Sequence, residues 1–174
     1  CSQSRGLGDV YKRQDKFNAK PPGGNGFFPH FDGIFEFKDQ SDKIRKGWYE
    51  YGNFFVNVLV ALDDCNEKNG TIEIADRFKK NDFEYLIEFT KKNGTPELNT
   101  ISVKKCKFEK IVLKKGDIVL FSNICPHKSE KNISSEDRRT LYYTYLSKNF
   151  GHQYEKYFHD KELSKNKTSK SLDD

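Results

Sequence analysis

The chain has 174 residues, of which 34% are hydrophobic and 14% aromatic, and its formal net charge is +5. This length suits one compact domain and is short for two, and the many aromatic residues favour a sheet-rich fold because they fit pleated surfaces. Basic and acidic residues are mixed without the basic stripe that nucleic acid needs, and no apolar run approaches the roughly 20 residues of a membrane span. We therefore expect no nucleic-acid or membrane partner.

The first fourteen residues, CSQSRGLGDVYKRQ, resemble translated sequencing-adapter read-through. We expect residues 1–14 to be non-native and leave them out of the predicted fold; a genuine flexible N-terminus is the alternative. The predicted single domain then spans residues 15–163 and is N-terminally truncated. Residues 164–174 are polar and predict a flexible tail.

Segments rich in β-branched and aromatic residues predict strands at 15–20, 54–64, 71–76, 139–147 and, two or three times, within 101–122. The run at 54–64 is the strongest of them because it is nearly continuously apolar. We expect 54–64 and 71–76 to form a hairpin-like unit, joined by a loop that ends at Gly70.

The remaining segments predict loops and few helices. Residues 77–92 predict a helix between Asp76 as N-cap and Gly94 as stop signal. The charged and aromatic residues 34–53 predict a mobile loop, and the polar tail from Gly151 is expected to be partly helical. Many short strands with few helices indicate a β-sandwich or β-barrel.

The histidines indicate a metal centre. His30 and Asp32 are separated by one residue, and on a strand such positions point to the same face. His127 follows another predicted strand and can supply a second imidazole. Two neutral imidazoles and one carboxylate cover one face of an octahedron and leave positions open, an arrangement that suits non-heme Fe(II). Taken alone, the His-x-Asp pattern is equally compatible with a solvated turn.

Arg138 lies eleven residues after His127, at the start of a predicted strand. A guanidinium is the natural partner for a carboxylate that must be held by two hydrogen bonds. 2-Oxoglutarate carries such a carboxylate at one end and chelates iron with its 2-oxo acid at the other. Arg139 should point to the opposite face, where a surface ion pair is expected.

Three stretches resemble the phytanoyl-CoA dioxygenase superfamily of Fe(II)- and 2-oxoglutarate-dependent oxygenases. They are K-x-P-G-G-N-G-F-F-P-H-F-D-G at 20–33, V-L-V-A-L-D-D-C-N-E-K-N-G-T-I-E at 58–73, and the segment 116–139 with its His-to-Arg spacing. The resemblance extends over residues 16–163. It implies a mainly β, double-stranded β-helix (jelly-roll, cupin-like) fold with a few flanking helices.

The resemblance also implies a reaction and its cofactors. Fe(II), 2-oxoglutarate and O₂ would support hydroxylation of a small-molecule C–H bond, with release of succinate and CO₂. His30, Asp32 and His127 match the metal ligands, and Arg138 matches the 2-oxoglutarate anchor. Because Asp32 is retained, hydroxylation is favoured over halogenation. Phe31, between the ligands, should point away from the metal.

Several side chains near these motifs keep two interpretations. Lys20 either contacts the cosubstrate or is solvated, and Asn57 either lines the pocket with the cofactor or faces water. The aromatic residues of the 34–53 loop either form a substrate lid or pack on the domain. Cys125 is expected to be a small core residue rather than a ligand.

The Lys-x-Pro-Gly-Gly opening and the YFHDK tail at 157–161 look most like enzymes that act on small polar amines, such as the 2-aminoethylphosphonate hydroxylases. A polar amine or phosphonate is therefore the expected small-molecule substrate. The four cysteines form no C-x-x-C pair and no signal peptide is evident, so we expect a cytoplasmic protein with reduced thiols. Two rival hypotheses are a non-catalytic metal- and 2-oxoglutarate-binding β-barrel sensor module and a sugar-binding or structural sandwich without metal.

Overall fold

The computed structural model describes residues 10–33, 37–39, 41–75, 87–89, 96–151, 153–160 and 162. Its strands are β1 Val10–Lys20, β2 Phe27–His30, β3 Phe37–Lys38, β4 Ile44–Arg45, β5 Phe55–Ala61, β6 Ile72–Ala75, β7 Ile87–Phe89, β8 Pro96–Leu98, β9 Phe108–Lys110, β10 Ile118–Ser122, β11 His127–Ser129 and β12 Arg138–Ser147. The helices are α1 Thr100–Lys105, a helical segment at 154–160, and 3-10 turns at Gly47–Tyr51 and Lys148–Phe150. None of the helices in this described part is long and apolar enough to cross a bilayer.

Two antiparallel sheets form the body of the fold. The four-stranded sheet has the order β1-β12-β5-β10, and the six-stranded sheet has the order β7-β8-β2-β11-β6-β9. A core cluster joins them, with Leu59, Ala61 and Phe121 from the first sheet and Ile72 from the second. The predicted mainly β fold with few helices is confirmed.

Strict alternation positions the inner face of the four-stranded sheet. Along β5, Phe55, Asn57, Leu59 and Ala61 are buried, and the residues between them are partly exposed. The first three residues of the neighbouring strand β12 are likewise buried, exposed and buried, because side chains on a strand alternate between the two faces. Asn57 is therefore the polar member of an otherwise apolar buried row, and it faces the space between the sheets.

The predicted hairpin of 54–64 and 71–76 is wrong. β5 pairs with β10 and β12, whereas β6 pairs with β9 and β11 in the other sheet. The connection between β5 and β6 crosses from one sheet to the other, held by a β-bridge between Cys65 and Leu113. Strand pairing depends on distant partners, so two strong strands that are neighbours in sequence need not pair.

Two predicted elements differ in type from those observed. Residues 100–105 form α1 rather than a strand, because the Asn99 side chain caps the helix by accepting a hydrogen bond from the Ser102 amide at 2.8 Å. Residues 87–89, within the helix predicted over 77–92, form strand β7; the rest of that segment lies outside the described residues. In both places local propensity favoured the wrong element.

The N-terminal strand starts earlier than predicted. The sequence predicts residues 10–14 as non-native, yet they continue β1, which pairs with β12 from Val10 to Lys20. A register shift interrupts this pairing between Lys12 and Gln14. Whether residues 1–14 are native sequence stays a prediction. The loop predicted at 34–53 contains the small β3–β4 pair and the 3-10 turn, and the helical tail expected after Gly151 is present at 154–160.

Candidate metal centre

Two adjacent antiparallel strands bring the three predicted ligands together. β2 ends at His30 and β11 begins at His127, and the strand register places these residues opposite each other, with ring centroids 4.3 Å apart. Asp32 follows two positions after His30, where the chain bends away from β2. One local spacing and one cross-strand pair thus gather three side chains at one point.

The ligand atoms of these side chains converge. The Nε2 atom of His30 lies 3.8 Å from Oδ1 of Asp32, and the Nε2 atom of His127 lies 3.5 Å from Oδ2. One ligand atom from each residue lies within 4.8 Å of the others, the only such group among the residues that the structure describes. The two nitrogen–oxygen distances exceed ordinary hydrogen-bond lengths and leave room for a shared cation.

Both imidazole rings are held in the tautomer that a metal requires. Nδ1 of His30 lies 2.7 Å from the Phe28 carbonyl oxygen, and Nδ1 of His127 lies 3.0 Å from that of Cys125. A carbonyl only accepts hydrogen bonds, so each Nδ1 carries a proton, and in the neutral ring Nε2 then keeps a free lone pair. Metal-bound histidines are oriented in this way by their second nitrogen.

Burial keeps the His30 ring neutral. Its pKa is lowered first by loss of solvent and then by the neighbouring His127, and the Asp32 carboxylate opposes this only in part. Neutral imidazoles beside a carboxylate form the donor set that suits Fe(II) with open positions. The residues present therefore fit the metal that the sequence predicts.

A cavity of about 260 Å³ opens beside these ligands. Its wall includes Trp48, Asn57, Tyr142 and Thr144 from the inner side of the fold, and Lys16 from β1. Apolar walls with a few convergent polar groups are typical of small-molecule sites. The three candidate ligands lie in this wall, so a bound metal would be accessible to a small molecule.

Arg138 is almost fully buried at the start of β12, with 2% of its surface exposed. Its Nη1 donates to the Thr140 hydroxyl at 3.2 Å, and its Nε has no hydrogen-bond partner among the described residues. Tyr142, four residues after Arg138 on the same strand face, lines the cavity, whereas Arg138 itself does not. Burial raises the pKa of the Tyr142 phenol, so this hydroxyl stays protonated.

Lys20 is also buried, and all three of its donor positions are engaged. Its Nζ donates to the carbonyl oxygens of Gly70 at 3.1 Å and Glu130 at 2.6 Å, and to the Ser129 hydroxyl at 2.8 Å. Burial, followed by the charge of Arg138, lowers the pKa of Lys20 to about 8. The structure therefore places Lys20 as a clamp between β1, β11 and the turn at Gly70, and not in solvent.

Asn57 faces the cavity rather than water, with 3% of its surface exposed. Its amide nitrogen donates to Oδ2 of Asp32 at 2.6 Å, and its amide oxygen accepts from the Thr144 hydroxyl at 2.9 Å. Asn57, which the sequence predicts to bind the cofactor, thus donates a hydrogen bond to the candidate metal ligand Asp32. The alternating pattern of β5 predicts which face of the sheet Asn57 occupies. It does not predict the hydrogen bond to Asp32, because Asp32 comes from a distant segment.

One prediction about side-chain direction is confirmed. Arg139 points away from Arg138 and forms a two-point ion pair with Asp63, both contacts at 2.7 Å. This outcome follows from the alternation of side chains along extended backbone. Phe31 is buried in a separate core with Leu98 but also contributes to the cavity wall, so its predicted direction away from the metal stays a prediction.

The remaining candidates divide between packing and surface. Cys125 packs against the main core, as expected. Trp48 lines the cavity and packs edge-on against Tyr157, and Tyr51 is buried with its hydroxyl donating to Asp160 at 2.6 Å. His159 is exposed, and His152 lies outside the described residues.

Sequence reasoning missed much of the cavity wall, including Lys16, Phe27, Tyr142 and Thr144. Tyr142 and Thr144 carry a signal that could have found them, because they share the strand face of Arg138 at intervals of two residues. Lys16 and Phe27 carry no such signal. They become neighbours through the packing of β1 and β2, with Lys16 Nζ 5.6 Å from the Phe27 ring centre.

The comparisons with known proteins agree with this geometry. The family described as phytanoyl-CoA dioxygenase (PhyH) matches residues 3–140. A 2-aminoethylphosphonate dioxygenase from an uncultured bacterium is 30% identical over 149 residues, which are 85% of this chain and 50% of that protein. A methylphosphonate hydroxylase from Gimesia maris is 28% identical over 155 residues, which are 89% of this chain and 52% of that protein. The chain thus spans about half the length of these curated relatives.

Solved structures confirm the fold. EctD from S. alaskensis, crystallised with 2-oxoglutarate and 5-hydroxyectoine, aligns over 81% of this chain and 45% of its own, with a TM-score of 0.55 and 18% identity. The epimerase SnoN, in complex with Fe3+, alpha ketoglutarate and nogalamycin RO, aligns over 79% of this chain and 50% of its own, with a TM-score of 0.57 and 14% identity.

Proposed function

The chain belongs to the phytanoyl-CoA dioxygenase family, and on that premise we propose that it is an Fe(II)- and 2-oxoglutarate-dependent dioxygenase that hydroxylates a C–H bond of a small molecule. One observation carries the proposal: the free Nε2 atoms of His30 and His127 face the same Asp32 carboxylate at 3.8 and 3.5 Å. A structural polar cluster would have hydrogen-bonded these atoms to each other or to the backbone.

The protein's own residues would supply binding, orientation and charge. His30, Asp32 and His127 would hold the metal on one side and leave its other side toward the cavity. When bound, Fe(II) with 2-oxoglutarate and O₂ supplies the oxidising chemistry: one oxygen atom enters succinate, the other enters the substrate hydroxyl, and CO₂ is released. The apolar part of the wall, including Phe27 and Trp48, would keep bulk water from the reacting centre.

Arg138 would bind the distal carboxylate of 2-oxoglutarate. A guanidinium with 2% exposure and an unpartnered Nε is unfavourable unless an anion approaches it. Tyr142 lines the cavity and lies within hydrogen-bonding reach of Arg138, and its phenol can donate a further hydrogen bond to a carboxylate. This assignment requires the cosubstrate to displace or reorient Tyr142.

The substrate that we propose is a small phosphonate, with or without an amino group. Two curated relatives carry names that state activity on phosphonates. In this chain, two lysines line the cavity: Lys128 is paired with Glu73 at 3.2 Å and Glu130 at 2.8 Å, whereas Lys16 has no carboxylate partner among the described residues. Lys16 stands at the cavity rim near Phe27 and can attract an anionic head group.

The test is succinate formation by the anaerobically iron-loaded protein after addition of 2-oxoglutarate and O₂. The reaction is run without substrate and with 2-aminoethylphosphonate, methylphosphonate, simple amines or acyl-CoAs, beside a His127→Ala control. We expect succinate that depends on iron and His127 and increases with a phosphonate. Folded, iron-loaded protein that binds 2-oxoglutarate but forms no succinate with any of these compounds would contradict the proposal and favour a sensor module.

Lys16→Gln separates the substrate class from the activity itself. We expect the KM for the phosphonate to rise roughly fivefold, the effect of losing about 1 kcal/mol from a partly exposed ion pair. Lys12→Gln is the matched control, because Lys12 lies on the same strand but is paired with Asp15 at 2.7 Å. An unchanged KM in Lys16→Gln would exclude this lysine from phosphonate binding.

A further inference from the structure

Asn57 and Thr144 form a buried hydrogen-bonded chain that ends on the candidate metal ligand Asp32. Asn57 is 3% exposed and Thr144 is 4% exposed, and they lie opposite each other on the neighbouring strands β5 and β12. The Thr144 hydroxyl lies 2.9 Å from Oδ1 of Asn57, and Nδ2 of Asn57 lies 2.6 Å from Oδ2 of Asp32. These two hydrogen bonds therefore connect the four-stranded sheet with Asp32, in the bend that follows β2.

The chemistry of the three groups sets the direction of both hydrogen bonds. A carboxylate only accepts, so Asn57 must present its NH₂ group to Asp32. The amide oxygen then faces Thr144 and only accepts, so the threonine hydroxyl must donate. The reverse orientation of the amide would place two oxygens against each other at 2.6 Å. Thr144 thus selects the orientation in which Asn57 can bind the carboxylate.

The consequence for Asp32 is a difference between its two oxygens. Each oxygen lies near one imidazole, Oδ1 at 3.8 Å from Nε2 of His30 and Oδ2 at 3.5 Å from Nε2 of His127, but only Oδ2 also accepts the hydrogen bond from Asn57. A carboxylate can hold a metal through one oxygen or through both. An oxygen held by an amide within a buried, low-dielectric wall is less available to the metal, so the carboxylate is restrained to one-oxygen binding.

We propose that Asn57 and Thr144 are positioning residues that hold Asp32 in a one-oxygen mode and keep the open side of the metal available to small molecules. The proposal rests on the proposed function for the identity of the metal site. The observation behind it is the pair of hydrogen bonds from Thr144 to Asn57 and from Asn57 to Asp32. The backbone pairing of β5 with β12 needs neither side chain. Removing either side chain should therefore affect the metal more than the fold.

The experiment measures Co(II) binding by the metal-free protein without 2-oxoglutarate or O₂, using the visible spectrum of Co(II) for affinity and coordination number. The variants are Asn57→Leu, Thr144→Val and Thr144→Ser, and thermal unfolding is recorded for each. Thr71→Val is the matched control, because the buried Thr71 hydroxyl donates to the Ile111 carbonyl and does not contact the metal centre.

We expect Asn57→Leu to weaken Co(II) binding by about 10- to 100-fold, the usual effect of losing a hydrogen bond to a metal ligand. Its Co(II) spectrum should shift toward a higher coordination number as the second oxygen binds. Thr144→Val should act in the same direction and Thr144→Ser should restore the wild-type values. Should Asn57→Leu fail to fold, the Thr144 pair still decides the question.

Wild-type affinity and an unchanged spectrum in both Asn57→Leu and Thr144→Val would overturn the proposal. The same holds if Thr71→Val weakens Co(II) binding as much as Thr144→Val does, because the effect would then be one of general stability. Absence of succinate formation by the wild type would reject the proposed reaction but leave these Co(II) measurements interpretable, so the two failures are distinguishable.

Discussion

The metal centre and the Lys20 clamp are both buried polar clusters on strand β11, yet their polar atoms are used differently. His127 belongs to the first and Ser129 to the second, two residues apart on the same face. In the clamp, Lys20 Nζ donates to three oxygens within 3.1 Å. In the metal centre, the two Nε2 atoms stop 3.5 and 3.8 Å from Asp32. Satisfied atoms indicate a structural role, and unsatisfied atoms that converge indicate a ligand.

The sharpest test of this contrast uses the two neighbours on β11. His127→Ala should reduce Fe(II) or Co(II) affinity by more than about 100-fold, beyond the usual loss from an outer hydrogen-bond partner, with little loss of stability. Ser129→Ala should leave metal affinity unchanged and lower the free energy of unfolding by about 1–3 kcal/mol, because it removes an acceptor from Lys20. Metal titration and urea unfolding of both variants measure these effects. Equal losses of metal affinity in the two variants would contradict the distinction between a metal centre and a structural cluster.

Arg138 extends the comparison, because it is a buried cation with an unpartnered donor. Arg138→Leu should raise the KM for 2-oxoglutarate by between about 10- and 100-fold, the loss expected for hydrogen bonds to a charged group. The stability of the metal-free protein should stay level or increase, since an uncompensated buried charge is removed. Steady-state kinetics and urea unfolding measure these effects. A large loss of stability with an unchanged KM would place Arg138 with the structural cluster.

Lys20→Met tests the clamp from its other side. The substitution leaves the carbonyls of Gly70 and Glu130 without their donor, so the free energy of unfolding should fall by about 1–3 kcal/mol. The KM for 2-oxoglutarate should not change, because the Lys20 donors are already engaged by the protein. Urea unfolding and steady-state kinetics are the measurements. A raised KM for 2-oxoglutarate at unchanged stability would show instead that Lys20 binds the cosubstrate.

A last expected effect is a dependence of stability on pH. The folded pKa of Lys20 is about 8 against an ordinary value of 10.5, so between these values the unfolded chain binds more protons than the folded one. The free energy of unfolding should therefore rise with pH across this window in the wild type, relative to Lys20→Met. Urea unfolding at pH 7, 8, 9 and 10 checks the prediction, and parallel curves for the two proteins would contradict it.

Short-range patterns predicted much of the candidate site. The one-residue gap between His30 and Asp32 keeps the carboxylate close to the end of β2, and alternation from Arg138 to Arg139 separates a buried guanidinium from a surface ion pair with Asp63. The spacing of His127 before Arg138 supported the resemblance to an oxygenase family. These features are local because extended backbone fixes which side a residue faces.

Other features could not be predicted locally. The assignment of β5 and β6 to different sheets depends on strands far away in sequence. The helix α1 formed because the Asn99 cap outweighed the β-branched residues that follow it. The role of Asn57 depended on Asp32 and Thr144, which approach it from two other segments.

By itself, the sequence determined that the fold is mainly β, which side chains are the candidate metal ligands, and that Arg138 and Arg139 lie on opposite faces, because these follow from residue chemistry and a period of two. Only the tertiary structure decided which nitrogen of each histidine faces Asp32, that the Lys20 amine donates to three protein oxygens, and that Asn57 donates a hydrogen bond to Asp32. Hydrogen bonds between distant segments form only when the sheets pack, and burial then determines which polar atoms are satisfied and which remain available to a ligand.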